Sequence, residues 1–239
     1  MTCSDGDSNE RDRRRRLIDV QSIALRLLDR IENLRLLAPG RTEREIERDI
    51  CALAQNEFHI EKYWHKRIVR AGVNTLSVAE DNPPVRTIEE DDLVFVDLGP
   101  IFGDWEADVG RSYAIGHDPR KQALCRDLLL YFELVKHRFL DERDITGAEL
   151  YTYACEVASA GGWLFGGKIA GHVIGEFPHA RLPGARELNL IGPQNPERLR
   201  CLDANGHIRH WILEIHLVDP SRKFAGFYER LMLDHLGDA

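Results

Sequence analysis

Val94-Phe95-Val96-Asp97-Leu98-Gly99-Pro100-Ile101-Phe102-Gly103-Asp104-Trp105-Glu106-Ala107-Asp108-Val109-Gly110-Arg111 sets two aspartates in strand-like surroundings on either side of a glycine. The apolar run Leu93 to Val96 and the run Arg111 to Ile115 read as two strands, with Gly103 as the break between them. An antiparallel hairpin with its turn centred between Phe102 and Gly103 sets Asp97 opposite Asp108. Like charges facing each other on one sheet face are destabilising unless something positive lies between them. A divalent cation suits hard carboxylate oxygens, and an acidic pair can hold one ion or bridge two. The alternative is a solvent-facing acidic hairpin.

A second stretch repeats the device. In Trp211-Ile-Leu-Glu214-Ile-His-Leu-Val-Asp219-Pro-Ser221-Arg-Lys-Phe-Ala-Gly-Phe-Tyr-Glu229, the turn residues Asp219, Pro220 and Ser221 divide two apolar strands. A centre between Ser221 and Arg222 puts Glu214 opposite Glu229. Between the hairpins, Gly166-Gly-Lys-Ile-Ala-Gly171-His172-Val-Ile-Gly175-Glu-Phe-Pro-His179 combines closely spaced glycines, which let backbone approach a crowded site, with two histidines. Either imidazole alone reads equally as a surface or hydrogen-bonded core residue. Asp97, Asp108, His172, Glu214 and Glu229 together form a set large enough for two metals.

On these motifs, Val-Asp97-Leu-Gly, Ala-Asp108-Val-Gly-Arg, Gly-His172-Val-Ile-Gly, Leu-Glu214 and Tyr-Glu229, the chain resembles the pita-bread metallopeptidases. These are the methionine aminopeptidases, Xaa-Pro aminopeptidases, prolidases and creatinase. The resemblance covers about residues 60 to 235. It implies an α+β fold, an antiparallel curved sheet covered by helices and built as two pseudo-symmetric halves. It implies that Asp97, Asp108 and Glu229 hold one divalent ion (Mn, Co, Fe or Zn) and that Asp108, His172, Glu214 and Glu229 hold a second. Asp108 and Glu229 would bridge, and a hydroxide between the ions would be the nucleophile. Glu214 would shuttle a proton to the leaving amine, and His179 would donate to the substrate carbonyl or developing oxyanion. The family also carries a histidine before the first aspartate, in the window that here reads Ser77-Val78-Ala79-Glu80-Asp81 and contains none. His65 in Trp64-His65-Lys66-Arg67 is a candidate substitute, the alternative being a solvated histidine in a basic patch.

The rest of the chain reads as scaffold. Residues 1–16, with Arg13 to Arg16, read as a disordered charged lead, and 17–239 as a single catalytic domain. Ile18, Ile23, Leu25, Leu28, Ile31 and Leu34 mark an amphipathic helix ended by Pro39-Gly40, and Thr42 with Glu45 a capping box for a second helix through about Glu57. Arg120 to Phe139, with Leu124, Leu128, Phe132 and Val135 on one face, and Thr146 to Gly161 predict two more. Pro183-Gly184 and Gly192-Pro-Gln-Asn-Pro-Glu-Arg198 read as a loop, either gating a pocket near the metals or a plain surface connection. Trp163-Leu-Phe165 is either an exposed patch suited to a homodimer surface or buried in the fold.

A formal charge of −8 and the absence of a long apolar run predict neither a nucleic-acid partner nor a membrane partner. Five scattered cysteines, without a C-x-x-C pair, read as free thiols in a reducing, cytoplasmic compartment. The expected partner is a peptide or small-molecule substrate. The expected reaction is release of an amino-terminal residue from a peptide or dipeptide. Arg70-Ala-Gly-Val-Asn-Thr, Asp97-Leu-Gly-Pro and Phe177-Pro-His179 resemble the Xaa-Pro branch, whereas the short length resembles methionine aminopeptidases. A creatinase-like hydrolase of a small C–N bond and a non-catalytic binding module are the alternatives.

Overall fold

The structure, a computed structural model, describes residues 3–179, 185–203 and 205–233, with side chains from residue 9 onward. Pro183-Gly184 therefore lies outside the described residues. The elements run α1 (Cys3–Asn33), α2 (Glu43–Phe58), β1 (Lys62–Tyr63), β2 (Ile68–Ala71), β3 (Leu93–Leu98), β4 (Pro100–Phe102), β5 (Trp105–Glu106) and β6 (Val109–Ala114). They continue through α3 (Pro119–Asp141), α4 (Gly147–Ala160), β7 (Leu164–Phe165), β8 (Gly171–Ile174), β9 (His210–Val218) and β10 (Ala225–Leu231). The main sheet has the order β2-β3-β6-β10-β9-β7, with β8 also paired to β9, and every pairing is antiparallel. Strands β1, β4 and β5 form a small second sheet.

Both helix pairs cover one face of the main sheet. Alternate residues of β3, Val94, Val96 and Leu98, point into a core with Leu17, Val20, Ala24, Leu27, Leu28 and Ile31 of α1 and Ile46 and Ile50 of α2. Leu213, Ile215 and Leu217 of β9 point the same way into a second core with Leu124, Leu128, Phe132 and Val135 of α3 and Leu150 and Ala154 of α4. Each fully buried Leu or Ile contributes about 1.5–3 kcal/mol, so these two stripes dominate the fold's stability. The opposite face, carrying Asp97, Glu214 and Glu229, is left for the site. The result is the α+β fold expected, two helix pairs each backing one hairpin.

Several local expectations hold for identifiable reasons. Thr42 with Glu45 and Thr146 with Glu149 both form capping boxes, each side chain answering the other's backbone N–H. Cys51, Cys125, Cys155 and Cys201 are free. Other expectations need correction. α1 is helical from Cys3 through Arg16 of the stretch 1–16 read as a disordered lead. There Glu10 meets His210, 2.6 Å away, while Arg13 donates to Glu10 and to Ile208 O. Of its expected stripe Leu28 and Ile31 are buried, Ile18, Ile23 and Leu25 are half-buried, and Leu34, past the helix end, is exposed, while Leu17, Val20, Ala24 and Leu27 complete the buried face. The Gly192–Arg198 segment, read as a gating loop or a plain connection, is fastened to the start of α4, where Asn195 is buried and its carbonyl accepts from Ala148 N. In Trp163-Leu-Phe165 only Leu164 is exposed. No helix among the described residues is long and apolar enough to cross a membrane.

Candidate metal centre

The first hairpin is offset from the sequence reading. Asp97 pairs with Gly110, not Asp108, and the small-sheet strands β4 and β5 turn at Gly103-Asp104, where Gly103 takes φ +61°. Glycine at the first position of a two-residue turn is what fixes this register. The offset is two residues, so face parity survives and both aspartates still point to the same side.

Across the sheet, Asp97, Gly110, Glu229 and Glu214 stand in one lateral row, each registered with the next. Asp108 lies two residues from Gly110, whose missing side chain makes room for the Phe227 ring, 2.6 Å from where a Cβ would stand. The Glu214–Glu229 pairing is the one expected. His172 enters on β8, opposite Ile212 and two residues from Glu214 on the same face. Gly171 makes this possible: at φ +144° its Cβ would lie 2.0 Å from Ile212 O. The next row of the same face is apolar, with the rings of Phe95, Phe227 and His216 packed at 5.5–6.4 Å.

These residues converge. His172 Nε2 lies 3.0 Å from Asp108 Oδ2, 3.7 Å from Glu214 Oε1 and 3.8 Å from Glu229 Oε1. His65 Nε2 lies 3.2 Å from Asp108 Oδ1 and 3.5 Å from Asp97 Oδ1. Two sets have ligand atoms mutually within 4.8 Å: His65, Asp97 and Asp108, and Asp108, His172 and Glu229. Asp97, Asp108, His172 and Glu229 are buried, yet Asp97 Oδ1 and Glu229 Oε2 have no hydrogen-bond partner among the described residues. Orphaned buried carboxylate oxygens cost stability unless something cationic meets them.

The protonation pattern expresses the same shortage of positive charge. Burial pushes Asp97 and Glu214 each up to about 7, with neighbouring carboxylates adding to it, and pushes Glu229 well above the usual carboxylate range. Burial would raise Asp108 too, but His65 and His172 outweigh it and hold it low. Burial opposes charge on both imidazoles, yet the carboxylates raise His65 to about 9 and His172 well above its ordinary value.

His179 stacks on His172, centroids 5.3 Å apart. Glu106, buried, accepts from His179 N at 3.2 Å and from its ring Nδ1. Nε2 is then the ring nitrogen left for a substrate. The indole of Trp64 packs edge-on against His65, His172 and His179 at 4.4, 5.2 and 4.8 Å. Glu106 and Trp64 were missed from the sequence. Both reach the site through or beside strands of two or three residues, too short for periodicity to mark them. A cavity of about 220 Å³ opens beside His179, lined by Phe177, Pro178, Arg13, His207 and Arg209.

Among solved structures, the fold is similar to a prolidase from Thermococcus sibiricus (TM-score 0.69, 19% identity, 94% of this chain and 59% of that one). It is similar to an X-Pro aminopeptidase from Thermotoga maritima MSB8 (0.68, 19%, 95% and 62%) and to a methionine aminopeptidase from Rickettsia prowazekii (0.65, 13%, 87% and 88%). The chain spans about three fifths of the length of the first two. No curated protein matches the sequence. Residues 15–200, more than three quarters of the sequence, match metallopeptidase family M24. That match and the carboxylate row of a pita-bread sheet agree: the chain belongs to metallopeptidase family M24.

Proposed function

We propose that this chain is a two-metal hydrolase that releases the amino-terminal residue of a short peptide, with a leaning toward Xaa-Pro substrates. The row of Asp97, Glu229 and Glu214 with Asp108 and His172, whose buried oxygens Asp97 Oδ1 and Glu229 Oε2 have no hydrogen bond among the described residues, carries the reading. This donor set, oxygen-rich with imidazole, fits divalent Mn, Co, Fe or Zn. Asp97, Asp108 and Glu229 would hold one ion and Asp108, His172, Glu214 and Glu229 the other. When bound, the ions supply an acidified water and positive charge for the tetrahedral transition state.

The chain's own groups do the rest. Glu214, on the same sheet face as the other carboxylates, would take a proton from water and return it to the leaving amine. His179, held through Nδ1 by Glu106, offers Nε2 to the substrate carbonyl. The cavity beside His179, with Phe177-Pro178 as an apolar wall and Arg13 and Arg209 at its margin, suits a short peptide. The likeness to a prolidase and an X-Pro aminopeptidase supports the Xaa-Pro leaning. We read the chain from α1 onward as one catalytic domain, and the free thiols as consistent with a reducing, cytoplasmic setting.

The test is amino-acid release from Xaa-Pro and Met-Xaa peptides by protein reconstituted with Mn or Co. Release from either panel, lost in Asp108→Ala, supports the reading and selects the branch. Metal binding with turnover only of a guanidino or ureido compound would replace it with the creatinase-like alternative. Metal binding with no turnover of either kind would leave a binding module.

A further inference from the structure

We propose that His65 is itself a metal ligand, its Nε2 joining Asp97 and Asp108 around the first ion so that each ion carries one imidazole. The inference rests on the metal-centre reading above and extends it to a residue outside the expected ligand set.

Spacing is the first ground. Ligand atoms at ordinary metal distances of about 2.0–2.2 Å stand about 3–3.5 Å from one another around a single ion. His65 Nε2 is 3.2 Å from Asp108 Oδ1 and 3.5 Å from Asp97 Oδ1. Asp97 Oδ1 makes no hydrogen bond, to that nitrogen or to any other described group.

Orientation is the second. His65 Nδ1 lies 2.6 Å from Lys66 O, and because a carbonyl only accepts, Nδ1 carries the hydrogen. That leaves the Nε2 lone pair toward the carboxylates in the neutral ring. His172 is built the same way, with Nδ1 2.9 Å from Val173 O and Nε2 at the other oxygen of Asp108. A backbone carbonyl on the far ring nitrogen is the usual support of a ligating histidine.

The third ground is that the fold makes room for this ring. Trp64-His65 bridges β1, which pairs with β4, and β2, where Ile68 pairs with Asp97. The two side chains lie over Gly99, where a Cβ would come within 2.2 Å of the His65 ring and 2.4 Å of Trp64 Nε1. Trp64 Nε1 donates to Ala107 O and its backbone N to Gly99 O, so the segment is fastened at both ends of the aspartate loop. The Ser77–Asp81 window, which lacks a histidine, is tied to the strand after His65, since Lys66 and Arg70 both donate to Asp81 O.

Proton NMR of the cobalt-loaded, 15N-histidine-labelled full chain tests this. A ligating imidazole shows its Nδ1 proton as an exchangeable, strongly hyperfine-shifted signal. Two such signals are expected, one lost in His65→Gln and the other in His172→Gln, with one of two cobalt binding events weakened by about 10²-fold in His65→Gln by calorimetry. A single shifted signal that survives His65→Gln, with unchanged cobalt affinities, overturns the proposal: His65 is then only the cationic partner that metal displaces. A wild-type chain that binds no cobalt overturns the metal-centre reading itself. The wild-type signal count needs no variant, and the variants' thermal unfolding separates ligand loss from misfolding.

Discussion

His65 and Asp108, 43 positions apart in sequence, meet with Nε2 3.2 Å from Oδ1, while the other oxygen of the same carboxylate faces His172 at 3.0 Å. Asp108 is thus addressed from both sides by imidazoles, and it is the residue shared by both candidate ligand groups. Removing it affects both halves of the centre at once.

Asp108→Asn keeps the volume and removes the charge. It is expected to abolish tight binding of both ions and to lower peptide hydrolysis by at least about 10³-fold, a loss of several kcal/mol of transition-state stabilisation. Elemental analysis of the variant beside wild type, with rates on one peptide, checks this; retention of full metal content would contradict it.

Much of the site was legible because sheet parity is robust. The aspartates of the first hairpin were expected opposite each other and are instead offset by two, yet they share a face because an even shift keeps every side chain on its side. The second hairpin was legible outright, its register set by Asp219, whose side chain accepts from Ser221 N at 2.9 Å. Glu106 and Trp64 were not, since both reach the site through the small sheet β1-β4-β5, whose strands are two or three residues long and leave almost no periodic signal. The Glu10–His210 contact that holds the start of α1 spans 200 positions, which no local pattern reveals.

Stability without metal should fall as pH rises. Asp97 and Glu214, pushed to about 7 by burial, bind protons in the folded state that the unfolded chain has released above about pH 4. The native state therefore holds more protons between about pH 4 and 7, and stability declines across that window. His65, raised to about 9 against the effect of burial by Asp97 and Asp108, extends the decline from about pH 6.5 to 9. Asp108, held low, acts only below about pH 4, outside this range. Thermal melts of chelator-treated protein should drop by about 5 °C or more from pH 5 to pH 8, with Mn restoring progressively more at higher pH. A metal-free melting temperature that rises over that range would refute this.

Gly171→Ala should be costly. The added Cβ would lie 2.0 Å from Ile212 O on a backbone at φ +144°, so β8 must move away from β9. A loss of about 2–4 kcal/mol is expected, with weaker metal binding because His172 moves too. Denaturant unfolding and cobalt titration measure the two effects; a variant as stable as wild type would show that β8 does not depend on this close approach.

His179→Ala and Glu106→Gln should separate substrate handling from metal holding. Both are expected to retain full metal content. His179→Ala should reduce kcat/KM by about 10²–10³-fold, and Glu106→Gln by less, since it loosens the ring without removing it. Loss of metal in either variant would move His179 into the metal ligand set.

The most direct measurement is anomalous diffraction at the cobalt edge from crystals of the reconstituted protein. Two peaks are expected, one among Asp97, Asp108 and Glu229 with His65 beside it, and one among Asp108, His172, Glu214 and Glu229. A carboxylate row without an anomalous peak, in protein shown to be folded and saturated with cobalt, would contradict the two-metal centre.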